Sequence, residues 1–349
     1  MDQGPRFPKV AAKAGHYESF YIKTCSPGGG RALWIRHTVH KRPGAPPTGS
    51  IWFTLFHSEA DAPRATKVTV PESELSVPGG GWIRVAGAEI RPGLAEGSLE
   101  TEALSASWSL RFSGDDEPCR YLPADWLYGA PLPRTKFVAP YPNARYDGTL
   151  RIDGEEIEIE GWPGMIGHNW GTEHAERWVW LEGTGFEGAG DTWFDAGAAR
   201  VRMGRWTTGW IPSGMLVLDG ERHRLGGLGA IRSARIEESP TGCDFVLPGK
   251  GLTVRGRVSA PQKDFVGWVY ADPAGPEHNT VNCSIADLEL TVERDGSAPR
   301  TISLEGGAAY EFGMRETDHG IPLQQYPDGS CGAARRWPGS SQHPSPSGR

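Results

Sequence analysis

The chain has 349 residues and a formal net charge of −7, with acidic and basic side chains mixed along its length. No positive patch is offered to nucleic acid or to an anionic membrane, so neither is expected as a partner. Apolar residues make up 38%, below the usual ~45–50%, but 14 Trp add large buriable surfaces. The five cysteines (Cys25, Cys119, Cys243, Cys283, Cys331) are odd in number, widely spaced and without a C-x-x-C pair. That excludes a disulfide framework or zinc ribbon and fits a reducing compartment. Residues 1–8 lack an apolar signal core, and no run approaches ~18 apolar residues. The expectation is a cytoplasmic protein with no integral membrane segment.

In chain order the sequence reads as strands. After a polar leader, 1–14, residues 17–23 are β-prone and end at the turn Ser26-Pro27-Gly28-Gly29-Gly30. Residues 31–39 follow with Leu33, Ile35, His37 and Val39 on one face and Trp34 and Arg36 on the other, a hairpin partner for the first strand. Residues 51–57 are almost continuously apolar, as a strand buried on both faces would be. Further strands fit 82–85, 98–102 and 105–112, the last alternating Trp108, Leu110 and Phe112 with Ser107, Ser109 and Arg111.

The pattern breaks over 114–147, where prolines at 118, 123, 131, 133, 140 and 142 alternate with Tyr121, Trp126, Tyr128, Phe137, Tyr141 and Tyr146. The aromatics imply a crossing segment strapped onto the fold rather than a free linker. Residues 149–152 and 156–160 then flank Asp153-Gly154, tight-hairpin chemistry. Ten more strands are expected between 178 and 315, spaced as in a barrel or sandwich. Helical periodicity is almost absent, so the fold class is all-β, and the length suggests two domains. From residue 325 onward there is little to bury, which predicts a disordered tail, 325–349.

The densest chemistry lies in residues 164–180, which hold His168, Asn169, Trp170, His174, Glu176, Trp178 and Trp180. Counted by twos as one extended strand, His168, Trp170, His174, Glu176, Trp178 and Trp180 share a face, with Asn169, Glu173 and Arg177 opposite. Gly171 could insert a bulge, so this parity is firm only from Glu176 onward.

Several stretches together resemble the AttH-like and carotenoid hydratase (hydroxyneurosporene synthase) superfamily. They are His16-Tyr17-Glu18-Ser19-Phe20-Tyr21, Arg31-Ala32-Leu33-Trp34-Ile35-Arg36, Leu132-Pro133-Arg134-Thr135-Lys136 with Pro140-Tyr141-Pro142, and Gly167-His168-Asn169-Trp170-Gly171. The Asn-Trp-Gly element is also similar to that of tocopherol cyclases. The resemblance implies two tandem lipocalin-like β-barrel domains, here 15–165 and 166–324, with an apolar ligand site near their junction and no organic cofactor. It implies action on a hydrophobic, unsaturated small molecule, isoprenoid or polyene-like, by hydration, cyclisation or isomerisation.

Residue chemistry narrows the roles. A carboxyl group among tryptophans has its pKa raised by desolvation and can stay protonated near neutral pH. Asp195 and Glu176 are therefore the candidate acids, against a paired, structural alternative. His168 and His174 are candidates to position water or relay a proton, Asn169 to orient a polar group, and Trp170, Trp178 and Trp210 to line the cavity. The spacing of His168 and His174 matches no standard ligand set, so no metal is expected. No Gly-x-Ser-x-Gly elbow or phosphate loop is present. The other open reading is a non-catalytic binding protein with the same cavity.

Overall fold

The computed structural model describes residues 4–189 and 191–324; the tail expected over 325–349 lies outside them. Twelve strands form a first sheet, ordered Arg64–Pro71, Thr48–His57, Arg31–Lys41, His16–Cys25, Glu155–Gly171, Thr135–Ile152, Ser105–Ser113 and Leu94–Glu100, then three short strands ending at Leu75–Ser76, with Cys119–Arg120 paired to Thr135–Ile152 off this path. The chain passes from one edge to the other through the single turn Glu72–Glu74, so the sheet curls almost closed. Alternate residues fill its interior, among them Phe20, Ile22, Leu33, Ile35, Phe53, Leu110 and Tyr146.

A second sheet of ten strands runs from Glu221–Gly226 through Ile211–Leu218, Trp193–Arg200, Arg177–Thr184, Arg300–Met314, Glu277–Arg294 and Leu252–Ser259 to Gly242–Gly249 and Arg235–Ser239, with Val266–Ala271 paired to Glu277–Arg294 off this path. Leu225 pairs back to Gly249 and closes it. Leu181, Phe194, Leu216, Phe245 and Val254 are buried in its core, with Phe194 stacked on Phe245 at 5.8 Å. The fold is all-β, two barrels in tandem.

Two expectations are corrected. Residues 164–180 are not one strand: Glu155–Gly171 belongs to the first sheet and Arg177–Thr184 to the second. Residues 166–171, assigned above to the second domain, therefore pair within the first barrel, opposite residues 17–22. Likewise the crossing segment is shorter than 114–147, because the strand Thr135–Ile152 runs through Pro140 and Pro142. Its register shifts between Val138, Tyr141 and Ala144, and this irregularity accommodates prolines that cannot donate to a ladder. Asp153 and Gly154 both take positive φ, 49° and 86°, in the hairpin that their sequence specifies.

Part of the leader is tied down. Glu18 accepts hydrogen bonds from the backbone N–H groups of Arg6 (2.9 Å) and Phe7 (2.7 Å), and Lys41 Nζ donates to the carbonyls of Ala12 and Ala14 at 2.7 Å.

Candidate functional site between the barrels

Strand register puts one chemically unusual face on the second barrel. Glu182 lies opposite Asp195, Trp180 opposite Glu311, Glu311 opposite Asn282, Trp268 opposite Thr280 and Tyr270 opposite His278. Directly paired residues point the same way, so these side chains share a face, and residues of opposite parity such as Leu181 and Phe194 fill the barrel. The shared face meets the outer face of the first barrel. Tyr21 contacts Trp180 edge-on at 5.5 Å, Trp52 contacts Trp268 at 5.1 Å and Tyr270 at 5.5 Å, and the Arg36 guanidinium lies 4.2 Å from the Tyr270 ring centre. Two glycines make room for the rings: a Cβ at Gly167 would fall 2.1 Å from Tyr21, and one at Gly313 2.2 Å from Trp178.

Asp195 sits in this junction with no exposed surface. Tyr121, from the crossing segment, donates its hydroxyl to Asp195 Oδ1, and Trp180 Nε1 donates to the same oxygen at 2.9 Å. Oδ2 has no hydrogen-bond partner among the described residues. Burial pushes the carboxyl up to about 7; the two hydrogen bonds pull it down and the Glu182 carboxylate adds to the rise. Glu182 itself is ion-paired to Lys23 at 2.7 Å. Tyr121 is positioned by the second barrel, since its carbonyl accepts from Ser213 Oγ and from Arg224 Nη1 at 3.4 Å.

Glu311 forms a second polar station on the same face. It accepts from Trp178 Nε1 at 2.9 Å, Tyr270 hydroxyl at 3.0 Å and Asn282 Nδ2 at 3.4 Å. Around it, Asn282 Oδ1, Thr280 Oγ1, Trp268 Nε1 and Thr54 Oγ1 are buried without a partner among the described residues.

The other sequence candidates are distributed around this centre. Glu176 is half-buried and paired with Arg315 at 2.8 Å, and Glu173 pairs with Arg134. His168 and Trp170 face the interior of the first barrel, because the strand break removes them from the face of Trp178 and Trp180. There His168 Nε2 meets Glu18 Oε1 at 2.8 Å and the ring stacks on Phe20 at 3.9 Å. Burial lowers the His168 pKa against the pull of Glu18. Burial also opposes ionisation of Glu18, but hydrogen bonds from His16 and His168 outweigh it and hold that carboxyl at about 2. Asn169, of opposite parity, points outward and accepts from Ser19 Oγ. Trp210 is half-buried at the edge of the second core.

His174 lies on the linker between the barrels, its Nδ1 2.7 Å from Asp272 Oδ1 and its ring stacked on Tyr17 at 3.9 Å. Burial lowers its pKa to about 4 despite Asp272. A separate pocket of about 410 Å³ opens at the first barrel and is lined by Ile51, Val68, Leu99, Glu100 and neighbouring serines.

Sequence reading missed Lys23, Tyr121, Glu182, Asp272 and Glu311. Glu182 carried a usable signal, a carboxylate two residues beyond Trp180 on an otherwise apolar strand. Tyr121 carried none, since its place depends on how the crossing segment docks.

No protein-family model matches the chain. Two uncharacterized proteins of Mycobacterium tuberculosis, from strains CDC 1551 and H37Rv, are each 26% identical over 316 residues, spanning 89% of this chain and 90% of theirs. Among solved structures, CghA superposes with a TM-score of 0.56 at 13% identity, over 87% of this chain and 89% of its own. An AttH-like protein of Nitrosomonas europaea gives 0.50 at 12% over 89% and 96%. Kievitone hydratase of Nectria haematococca gives 0.50 at 10% over 88% and 90%. What this chain shares with them is the architecture: it carries the AttH-like fold of two tandem β-barrels.

Proposed function

We propose that the protein is an enzyme that acts on a hydrophobic, unsaturated small molecule in the junction between its barrels, with Asp195 as the general acid. The supporting observation is Asp195 itself. Its carboxyl is fully buried and pushed up to about 7, one oxygen is held by Tyr121 and Trp180, and the other is unpartnered among the described residues. Burial, two hydrogen bonds and a second carboxylate govern its charge, with no cation among them. Glu176, by contrast, is paired with a cation, Arg315.

Chemistry follows from that geometry. Transfer of the Oδ2 proton to one carbon of a carbon–carbon double bond leaves a cation on the other. Water adds to that cation in a hydration, a second double bond attacks it in a cyclisation, or a neighbouring C–H proton leaves in an isomerisation. In each case a proton returns to the carboxylate. The faces of Trp178 and Trp180 stabilise such a cation by roughly 2 kcal/mol or more where water is excluded. The unpartnered Asn282, Thr280 and Trp268 atoms would hold an oxygen of the ligand or an ordered water. No organic cofactor enters this reading. One fold neighbour, kievitone hydratase, bears a name that denotes chemistry, and a hydratase-type reaction is compatible with it.

The test begins with mass spectrometry of apolar molecules that co-purify with the chain, followed by turnover of the molecule identified. Asp195→Asn is nearly isosteric and should reduce turnover at least about a hundredfold while the ligand still binds. Full activity in that variant rejects Asp195 as the acid. A retained ligand that the unmutated protein never converts makes the chain a binding protein.

A further inference from the structure

At the end of the junction, three residues distant in sequence bring metal-ligating atoms together. His174, Asp272 and His278 each offer one ligand atom, all within 4.8 Å of one another. His174 comes from the linker between the barrels; Asp272 and His278 flank the turn between Val266–Ala271 and Glu277–Arg294. Their side chains are 9%, 1% and 0% exposed. His174 Nδ1 is 2.7 Å from Asp272 Oδ1, His278 Nε2 is 3.2 Å from Oδ2, and the backbone N–H of His174 also donates to Oδ1 at 2.6 Å. The wall around them is aromatic: His174 lies 5.7 Å from Trp178 and 5.9 Å from Tyr270, and His278 5.3 Å from Trp178.

We propose that His174, Asp272 and His278 form a binding site for one divalent transition-metal ion of the zinc type. Two imidazoles and one carboxylate suit Zn²⁺, Co²⁺ or Ni²⁺, and three protein ligands leave one tetrahedral position for water. Donors bound tetrahedrally at about 2.0–2.2 Å stand about 3.3 Å apart. His174 and His278 now meet different oxygens of Asp272, so an ion held through one of those oxygens would draw the three donors, within 4.8 Å of one another, in to that spacing.

His174 Nδ1 and His278 Nε2 face the Asp272 carboxylate, which leaves His174 Nε2 and His278 Nδ1 as the outer nitrogens. Both atoms are buried without a partner among the described residues. An ion that takes the inner nitrogens binds each ring as the neutral tautomer with its N–H on the outer nitrogen. The backbone N–H of His174 keeps its bond to Oδ1 and orients the carboxylate from outside the ligand set. An ion there ties the inter-barrel linker to the second barrel. The proposal does not depend on the acid chemistry of Asp195.

The test uses the full chain after treatment with a chelator. Zn²⁺ alone, titrated against a chromophoric competitor, should bind at one equivalent. Asp272→Asn, which keeps the size but removes the charge and one acceptor oxygen, and His278→Gln should each weaken it at least about a hundredfold. Co²⁺ alone, added to the unmutated protein, should give the intense visible absorption of a four-coordinate site, a measurement that holds even if a variant fails to fold. Weak octahedral bands, absence of a stoichiometric equivalent, or binding that both folded variants retain would overturn the proposal.

Discussion

Lys23 of the first barrel and Glu182 of the second form an ion pair at 2.7 Å with neither side chain exposed. Lys23 Nζ also donates to the Gly307 carbonyl at 2.6 Å, so the pair fastens His16–Cys25 to strands of the second sheet. A buried charge is tolerated only while its partner is present. Lys23→Met should therefore destabilise the protein by about 3–5 kcal/mol, and the double variant Lys23→Met, Glu182→Leu should recover most of that loss. Urea denaturation of the two single variants and the double variant measures the coupling. Additive single losses would mean that the pair does not hold the barrels together.

Glu18 joins the leader to the barrel interior. Its oxygens accept from two leader N–H groups and meet both His16 and His168, a set that Gln cannot replace because it lacks the charge. Glu18→Gln should cost about 2 kcal/mol or more and expose residues 4–14 to protease. Since the folded-state pKa is depressed to about 2, the stabilisation is present above the ordinary Glu range near 4 and is lost as pH falls through about 2. Acid unfolding of the wild type should accordingly be steeper than that of the variant. An unchanged proteolysis rate would show the leader to be anchored elsewhere.

The β class, the hairpin at Asp153-Gly154 and the burial of Asp195 were legible because each rests on local chemistry: alternation, turn residues, and a carboxylate that follows Trp193 and Phe194. The site as a whole was not. The single-strand reading of 164–180 joined His168 to Trp178 across Gly171, where the strand ends rather than bulges. It therefore placed on one face residues that lie inside the first barrel and residues that lie between the barrels. Asp272 lies 98 residues from His174 and Glu311 lies 133 from Trp178, and only the folding of the second barrel brings each pair together.

Tyr121 should act on the chemistry through Asp195 rather than by touching the ligand. Its hydrogen bond is among the interactions that lower the Asp195 pKa against burial. Tyr121→Phe removes it, so the alkaline limb of the pH–activity profile should move to higher pH. If the profile stays fixed while turnover drops, Tyr121 is a direct participant and not a positioning residue.

Asp195 should also leave a mark on stability that needs no substrate. Its folded-state pKa is raised to about 7, whereas an unfolded Asp titrates near 3.9. Between those values the folded protein holds a proton that the unfolded chain has released, so folding is favoured by the proton. The contribution is therefore complete below about pH 4 and declines through the interval between the two pKa values, and it is lost once pH has risen through about 7. At pH 8 the wild type carries a buried carboxylate beside Glu182. Asp195→Asn keeps the shape and removes the charge, so it should be the more stable protein at pH 8, by on the order of a few kcal/mol, and close to the wild type at pH 4. Chemical denaturation of both proteins at pH 4, 6 and 8 measures the difference. A gap independent of pH would mean that Asp195 ionises normally, and the acid role proposed for it would fail with it.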